Sequence, residues 1–169
     1  MFDKKRIKRW CAPALLGSLA LTLATHMQAQ VGPEDPDWTE SDTPTPPAFN
    51  LDKLLPLEMP PYVSLTFGID PATLAITKDG IVRYVVVARN AGGSINAMYE
   101  GIRCATGEVK TYARASGTGT WSMVVEPRWR DFTDNLPSKH AGVFARQAAC
   151  EGRAAAASTT RDIVRALEK

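Results

Sequence analysis

The chain has 169 residues, with 20 lysines and arginines against 18 aspartates and glutamates, two histidines and three cysteines. Five basic residues and one acid fall in the first 29 positions, so 15 basic and 17 acidic side chains remain beyond them. That balance argues against nucleic acid as a partner, and a lone histidine beyond position 29, with neither Cys-x-x-Cys nor His-Glu-x-x-His spacing, argues against a metal site.

The opening MFDKKRIKRW, followed by ALLGSLALTLAT, reads as a secretory signal peptide over residues 1–29, with cleavage expected after Ala29. Its apolar block of about 12 residues is too short for a membrane-spanning helix, which needs about 20. No transmembrane segment is therefore expected in the mature protein. Cys11 precedes the apolar block and follows Lys8-Arg9-Trp10 instead of a small apolar box, which argues against lipoprotein anchoring.

Residues 30–61 form a Pro-rich acidic arm or linker, with proline at positions 33, 36, 44, 46, 47, 56, 60 and 61. Proline removes backbone donors and fixes φ, so an extended arm is expected in place of helix or ladder. Trp38, Phe49 and Leu54-Leu55 are apolar enough to dock on a neighbouring surface, including the protein's own domain. Residues 30–70 carry eight acids and only Lys53 as a base, whereas residues 71–169 carry 14 bases and nine acids. An acidic leader thus precedes a basic core.

Residues 62–169 are expected to form a single α+β domain. Strands are predicted at VSLTFGI (63–69), IVRYVVVAR (81–89), INAMYEGIRC (95–104), EVKTYARA (108–115) and WSMVV (121–125), an antiparallel meander of about five strands joined by short glycine-containing loops. IDPATL and Asp79-Gly80 read as turns. Two C-terminal helices are predicted to pack on one face of the sheet. The first spans about residues 138–149, with Ala141, Phe144, Ala145 and Ala148 on one side, and the second runs from about Thr160 to Leu167, with Thr159 and Asp162 in capping-box spacing.

Beyond the leader stand Cys104 and Cys150, and two thiols in a small secreted domain most often pair. Two free thiols would instead leave Cys104 and His140 as a nucleophile and base. Pairing Arg89 with Ile95 across the first loop, and Cys104 with Glu108 across the next, places Tyr84, Glu100 and Tyr112 on one face beside Val82, Val86 and Ile102. Arg83, Tyr99 and Arg103 take the other face. A carboxylate between two phenols is either a candidate binding or acid–base group or a polar tie within the sheet. The Arg83/Arg103 pair is either a solvated face or an anion contact. No catalytic residue is assigned and no cofactor is expected. Trp129 between Arg128 and Arg130 is read as covering a sheet edge, with ligand stacking as the alternative.

The run IDPATLAITKDGIVRYVVVARNAGGSINAMYEGIRC, with its Asp-Gly-x-x-Arg-Tyr and Tyr-Glu-Gly-x-Arg-Cys elements, followed by Tyr112-Ala113 and Trp121, resembles the cryptic neisserial protein-like (CNP-one-like) family over about residues 36–150. The resemblance implies a periplasmic cell-envelope protein of a Gram-negative bacterium, in a family of no assigned activity whose members are often thought to be lipoproteins; it supplies no catalytic residues. The expected role is a soluble periplasmic interaction or accessory module, with envelope proteins or anionic envelope polymers as partners. The alternative is a small-molecule binder or hydrolase with a pocket around Glu100.

Overall fold

The computed structural model describes residues 37–43, 45–117, 119–134, 136, 138–152 and 157–169. The expected signal peptide and residues 30–36 of the arm lie outside them. Eight strands form one sheet: β1 (Leu55–Pro56), β2 (Thr66–Ile69), β3 (Ala75–Ile76), β4 (Ile81–Arg89), β5 (Ile95–Arg103), β6 (Glu108–Ser116), β7 (Ser122–Met123) and β8 (Arg130–Asp131). Their order is β1-β2-β4-β5-β6-β7, with β3 beside β4 and β8 beside β6, and every pairing is antiparallel. The expected five strands correspond to β2, β4, β5, β6 and β7. The three unforeseen ones are two residues each, too short for an alternation of side chains to reveal.

The long strands β4, β5 and β6 carry the core. Eight consecutive residues of β4 are buried, the mark of a strand covered on both faces. On one face Tyr84, Val86, Met98, Ile102 and Val109 join Phe67 and residues from the C-terminal helices in one apolar cluster. On the other, Val85, Val87, Ala97, Tyr99, Tyr112, Ala113 and Ala115 meet Phe49, Leu51, Leu54 and Trp121.

The β4–β5 register is the expected one, from Ile81 opposite Arg103 to Arg89 opposite Ile95. Between β5 and β6 it holds only from Asn96–Ser116 to Tyr99–Ala113; a β-bulge follows, after which Glu100 faces Thr111 and Arg103 faces Glu108. Tyr112 is the extra residue. Like Ala113 beside it, Tyr112 belongs to the second cluster, so the expected placement of Tyr112 with Glu100 is corrected. A bulge inserts one residue into one strand, and every side chain on one side of it exchanges faces relative to an unbroken ladder. Gly101 makes room for the result, because a Cβ there would lie 2.6 Å from the Tyr112 hydroxyl and 2.8 Å from Ile81 Cγ2.

The C-terminal helices are short. Helix α1 (His140–Phe144) passes into a π-helical turn, Ala145–Ala149, which ends with Cys150 N–H donating to Ala145 O. Helix α2 (Thr160–Leu167) begins at the expected cap, where Thr159 accepts from the Asp162 N–H, and buries Ile163 and Leu167. Ala141, Val143, Phe144, Ala145, Ile163 and Leu167 enter the first cluster as patches, not as a continuous helical layer. The expected bridge joins Cys104, just past β5, to Cys150 at the end of the π-helical turn, with Cα atoms 5.6 Å apart.

The described part of the arm, expected to form neither helix nor ladder, instead supplies a 3-10 turn at Leu51–Lys53 and the edge strand β1, where Pro56 is tolerated. Phe49, Leu51 and Leu54 cover the second cluster while Leu57 enters the first. Trp38 Nε1 donates to Asp79 O at 2.9 Å, and the Ser41 N–H donates to the Asp79 carboxylate at 2.7 Å. Burial alone would raise the Asp79 carboxyl, but hydrogen bonds from Thr77 and Ser41 outweigh it and hold the group below its ordinary value. Farther along, Asn50 N–H donates to Asp70, whose carboxylate also caps the turn Pro71–Thr73 through Ala72 N–H. Trp121 Nε1 reaches Pro47 O at 3.1 Å while its ring meets Phe49 edge-on.

Glu40 is the polar anchor of this arm. Its carboxylate accepts from Lys110 Nζ at 2.6 Å, Tyr112 Oη at 2.8 Å and Trp129 Nε1 at 3.1 Å. Glu40→Ala leaves those donors half-buried without an acceptor, and the expected loss is about 1–3 kcal/mol in urea unfolding. A change under about 0.5 kcal/mol would show that the arm contributes nothing to the fold through this residue.

Candidate functional site

Glu100 sits in the middle of β5 with 2 % of its surface exposed. A carboxylate buried to that degree needs its lone pairs filled, and three side chains fill them. Tyr84 Oη from β4 donates to Oε2 at 2.9 Å, Thr111 Oγ1 from β6 donates to Oε1 at 2.9 Å, and His140 Nε2 from α1 lies 2.7 Å from Oε2. Burial pushes the Glu100 carboxyl up. The neighbouring His140 imidazole and the hydrogen bonds from His140, Thr111 and Tyr84 pull it down further, and the net direction is below its ordinary value. The Tyr84 phenol moves the other way: burial, then the Glu100 charge, raise it well above 10, so it stays a donor.

An ionised Glu100 accepts hydrogen bonds and donates none, so the proton in the His140 contact lies on Nε2. In the neutral imidazole that leaves Nδ1 as an acceptor. Ser138 Oγ lies 2.5 Å from Nδ1. The imidazole is stacked on Phe67 at 5.0 Å between centroids, with 10° between planes, which fixes the ring against rotation. The result is an oriented chain of four groups from Tyr84 or Thr111 through Glu100 and His140 to Ser138.

Glu100, Thr111, Ser138 and His140 line a pocket of about 340 Å³. Met98, Val109, Val124, Pro127, Leu136 and Ala141 form its apolar wall, and Arg114, Arg128, Arg130 and Glu126 add charge. Arg128 pairs with Glu126 at 3.4 Å and Arg130 with Asp134 at 3.5 Å. Arg114 is exposed and makes no ion pair among the described residues. Volume, apolar wall and a few convergent polar groups match the general character of a small-ligand pocket.

Of the residues singled out in the sequence, Tyr84 and Glu100 come together as expected. Tyr112 does not join them; it bonds Glu40 on the other face, where burial and that carboxylate raise its phenol. Arg83 and Arg103 share the expected face but neither is solvated. Arg83 is 3 % exposed and donates to Ser41 O and Asp42 O at 2.8 and 3.0 Å, while Arg103 lies over the Trp38 ring at 3.7 Å. Both hold the arm. Trp129 docks on Glu40 and meets Trp38 edge-on, while its neighbours Arg128 and Arg130 stay largely in water where they line the pocket. The Cys104–His140 alternative fails because Cys104 is spent in the bridge.

The residues missed at the site are Thr111 and Ser138, while His140, weighed only as a base for Cys104, is found with Glu100. Thr111 takes the expected place of Tyr112 because of the bulge. His140 carried a signal of its own: as the sole histidine beyond residue 29 it lies four residues before Phe144, on the buried side of the helix. Glu100 and His140 converge as a pair, with no group of three or more metal-ligating side chains among the described residues. No described helix is long and apolar enough to cross a membrane.

A bulged antiparallel sheet, stapled to a short helical segment and strapped by an acidic arm, defines the class. The chain belongs to the CNP1-like family, whose family model matches residues 33–168. No curated protein and no solved structure matches it.

Proposed function

We propose that this protein is an extracytoplasmic cell-envelope module that binds a small anionic molecule in the pocket beside Glu100 and His140. The observation that carries this reading is a buried polar chain that opens, through Ser138, into a pocket lined by three arginines and two glutamates, with Arg114 in no ion pair among the described residues. Arginine favours carboxylate and phosphate because its planar donors match their oxygens in pairs. The secretory character of residues 1–29 and the Cys104–Cys150 bridge support the periplasmic address. The reading of the basic sheet face as a platform for anionic envelope polymers finds less support, since Arg83 and Arg103 are occupied by the arm.

Thermal unfolding in the presence of a panel of small dicarboxylates and phosphate monoesters, with neutral amides as controls, tests the proposal. At a hundredfold excess over Kd a true ligand stabilises by about 2.7 kcal/mol. At least one anion should therefore raise Tm by several degrees, in a salt-sensitive manner, and Arg114→Ala/Arg128→Ala/Arg130→Ala should abolish the effect. Stabilisation by none of the anions, or equal stabilisation of the triple variant, would count against it.

A further inference from the structure

We propose that Ser138, His140 and Glu100 form a hydrolytic relay whose substrate is a carboxylic ester bearing a second, anionic group. The inference rests on the pocket being the ligand site and goes beyond it by assigning chemistry and substrate class. Three observations support it. The first is order: a hydroxyl on the pocket wall meets one imidazole nitrogen at 2.5 Å, and a carboxylate that is 2 % exposed meets the other at 2.7 Å. Nucleophile, base and orienting carboxylate linked in that sequence are the arrangement that activates a serine. Serine occupies Nδ1 here and the carboxylate Nε2, which reverses the ring but preserves the logic, because the carboxylate still fixes the tautomer that leaves a lone pair facing the hydroxyl.

The second observation is that, among the described residues, the Ser138 hydroxyl makes no capping bond to the helix backbone. The N-cap of α1 is Lys139, which makes no side-chain capping bond, and the partner of Ser138 Oγ is the imidazole. The third is charge: Arg114, Arg128 and Arg130 line the same pocket as Glu100 and Glu126, and because Arg128 and Arg130 pair with Glu126 and Asp134, Arg114 is the arginine left to meet the anionic tail of a substrate.

The reaction balances with water alone. Ser138 Oγ bonds to the ester carbonyl carbon as its proton passes to His140 Nδ1, and the carbonyl π electrons move to oxygen. Collapse of that intermediate breaks the bond to the leaving alkoxide, which takes the proton from Nδ1. Water then attacks the acyl-serine, gives one proton to Nδ1, and expels Oγ, which recovers that proton. Ester and water become acid and alcohol. Glu100 acts throughout as a positioning residue, keeping the Nε2 proton in its hydrogen bond and balancing the imidazolium.

The test uses the full chain with an alkyl fluorophosphonate, read by peptide mass mapping. A single adduct on Ser138 is expected, absent in Ser138→Ala and formed at least about 100-fold more slowly in His140→Asn. Glu100→Gln should slow labelling and shift its pH profile, a change that a merely structural role would not produce. With substrates, the p-nitrophenyl monoester of glutarate should be cleaved at least about tenfold faster than neutral p-nitrophenyl valerate, and the triple arginine variant should erase the preference. If anions bind but Ser138 is not labelled, or His140→Asn labels as fast as wild type, the relay is overturned and the binding reading stands. If neither binding nor labelling occurs, both fall. Should His140→Asn not fold, wild-type labelling against Ser138→Ala still decides.

Discussion

Replacing both bridged cysteines, as Cys104→Ala/Cys150→Ala, is expected to lower stability by about 4 kcal/mol. The bridge spans 46 residues, and closing a loop of that length in the unfolded chain removes entropy worth about 4 kcal/mol in the chain-entropy model. For a domain of this size that corresponds to a fall in Tm of more than about 10 °C. Calorimetry on the double variant, compared with wild type under non-reducing conditions, gives the value directly. Because Cys104 is 2 % exposed, wild-type protein should resist mild reductant until it unfolds, so the variant is the cleaner comparison. The bridge also ties the end of β5 to the π-helical turn that follows His140. Amide exchange in His140–Phe144 should therefore accelerate more than in β4. A loss under about 1 kcal/mol, or uniform exchange, would show that the sheet holds the helical segment without the staple.

The central sheet was legible because its signals were local and redundant. IVRYVVVAR is β-branched throughout, Asp79-Gly80 and NAGGS mark its ends, and a five-residue loop leaves little freedom in pairing Arg89 with Ile95. The α2 cap was legible for the same reason. What escaped was non-local or one residue wide. Nothing in EVKTYARA announces a bulge, yet that single insertion takes Tyr112 from Glu100 and gives it to Glu40. The strands β1, β3 and β8 exist only because longer neighbours offer them two residues of ladder. The first helix was expected as a regular element over 138–149; it starts at His140 and loosens into a π-helical turn from Ala145. Periodicity cannot distinguish i→i+4 from i→i+5 closure over so short a run.

The site divides along the same line. In Tyr-Glu-Gly-x-Arg-Cys, residues of one short motif serve four ends. Glu100 faces the helical side, Gly101 clears space for the Tyr112 phenol, Arg103 supports Trp38 in the arm, and Cys104 staples the helix. Alternation along the strand separates Glu100 from Arg103, as the register predicted. The partner that completes Glu100, however, lies 40 residues away at His140, and a contact between strand and helix leaves no periodic trace in either.

Glu100→Ala is expected to cost about 3–5 kcal/mol, because three donors lose their acceptor and each donor left unsatisfied costs about 1–3 kcal/mol. The substitution leaves Tyr84 Oη, Thr111 Oγ1 and His140 Nε2 without their buried acceptor, and it opens a small void in the sheet face. Glu100→Gln keeps the volume and should cost less, because the amide oxygen still accepts while its NH2 meets a donor. The pH dependence separates charge from packing. Glu100 has its folded-state carboxyl below the ordinary 4.5, so its contribution is fully present above about 4.5 and is lost as pH falls through the lower folded value. The stability difference between wild type and Glu100→Gln, measured by urea unfolding, should then be flat from pH 7 to about 5 and shrink steadily below 4.5. A difference that grows as the pH falls would mean that the buried carboxyl is held protonated. In that case it would donate to its neighbours instead of accepting from them, and the tautomer that leaves His140 Nδ1 open to Ser138 would lose its cause.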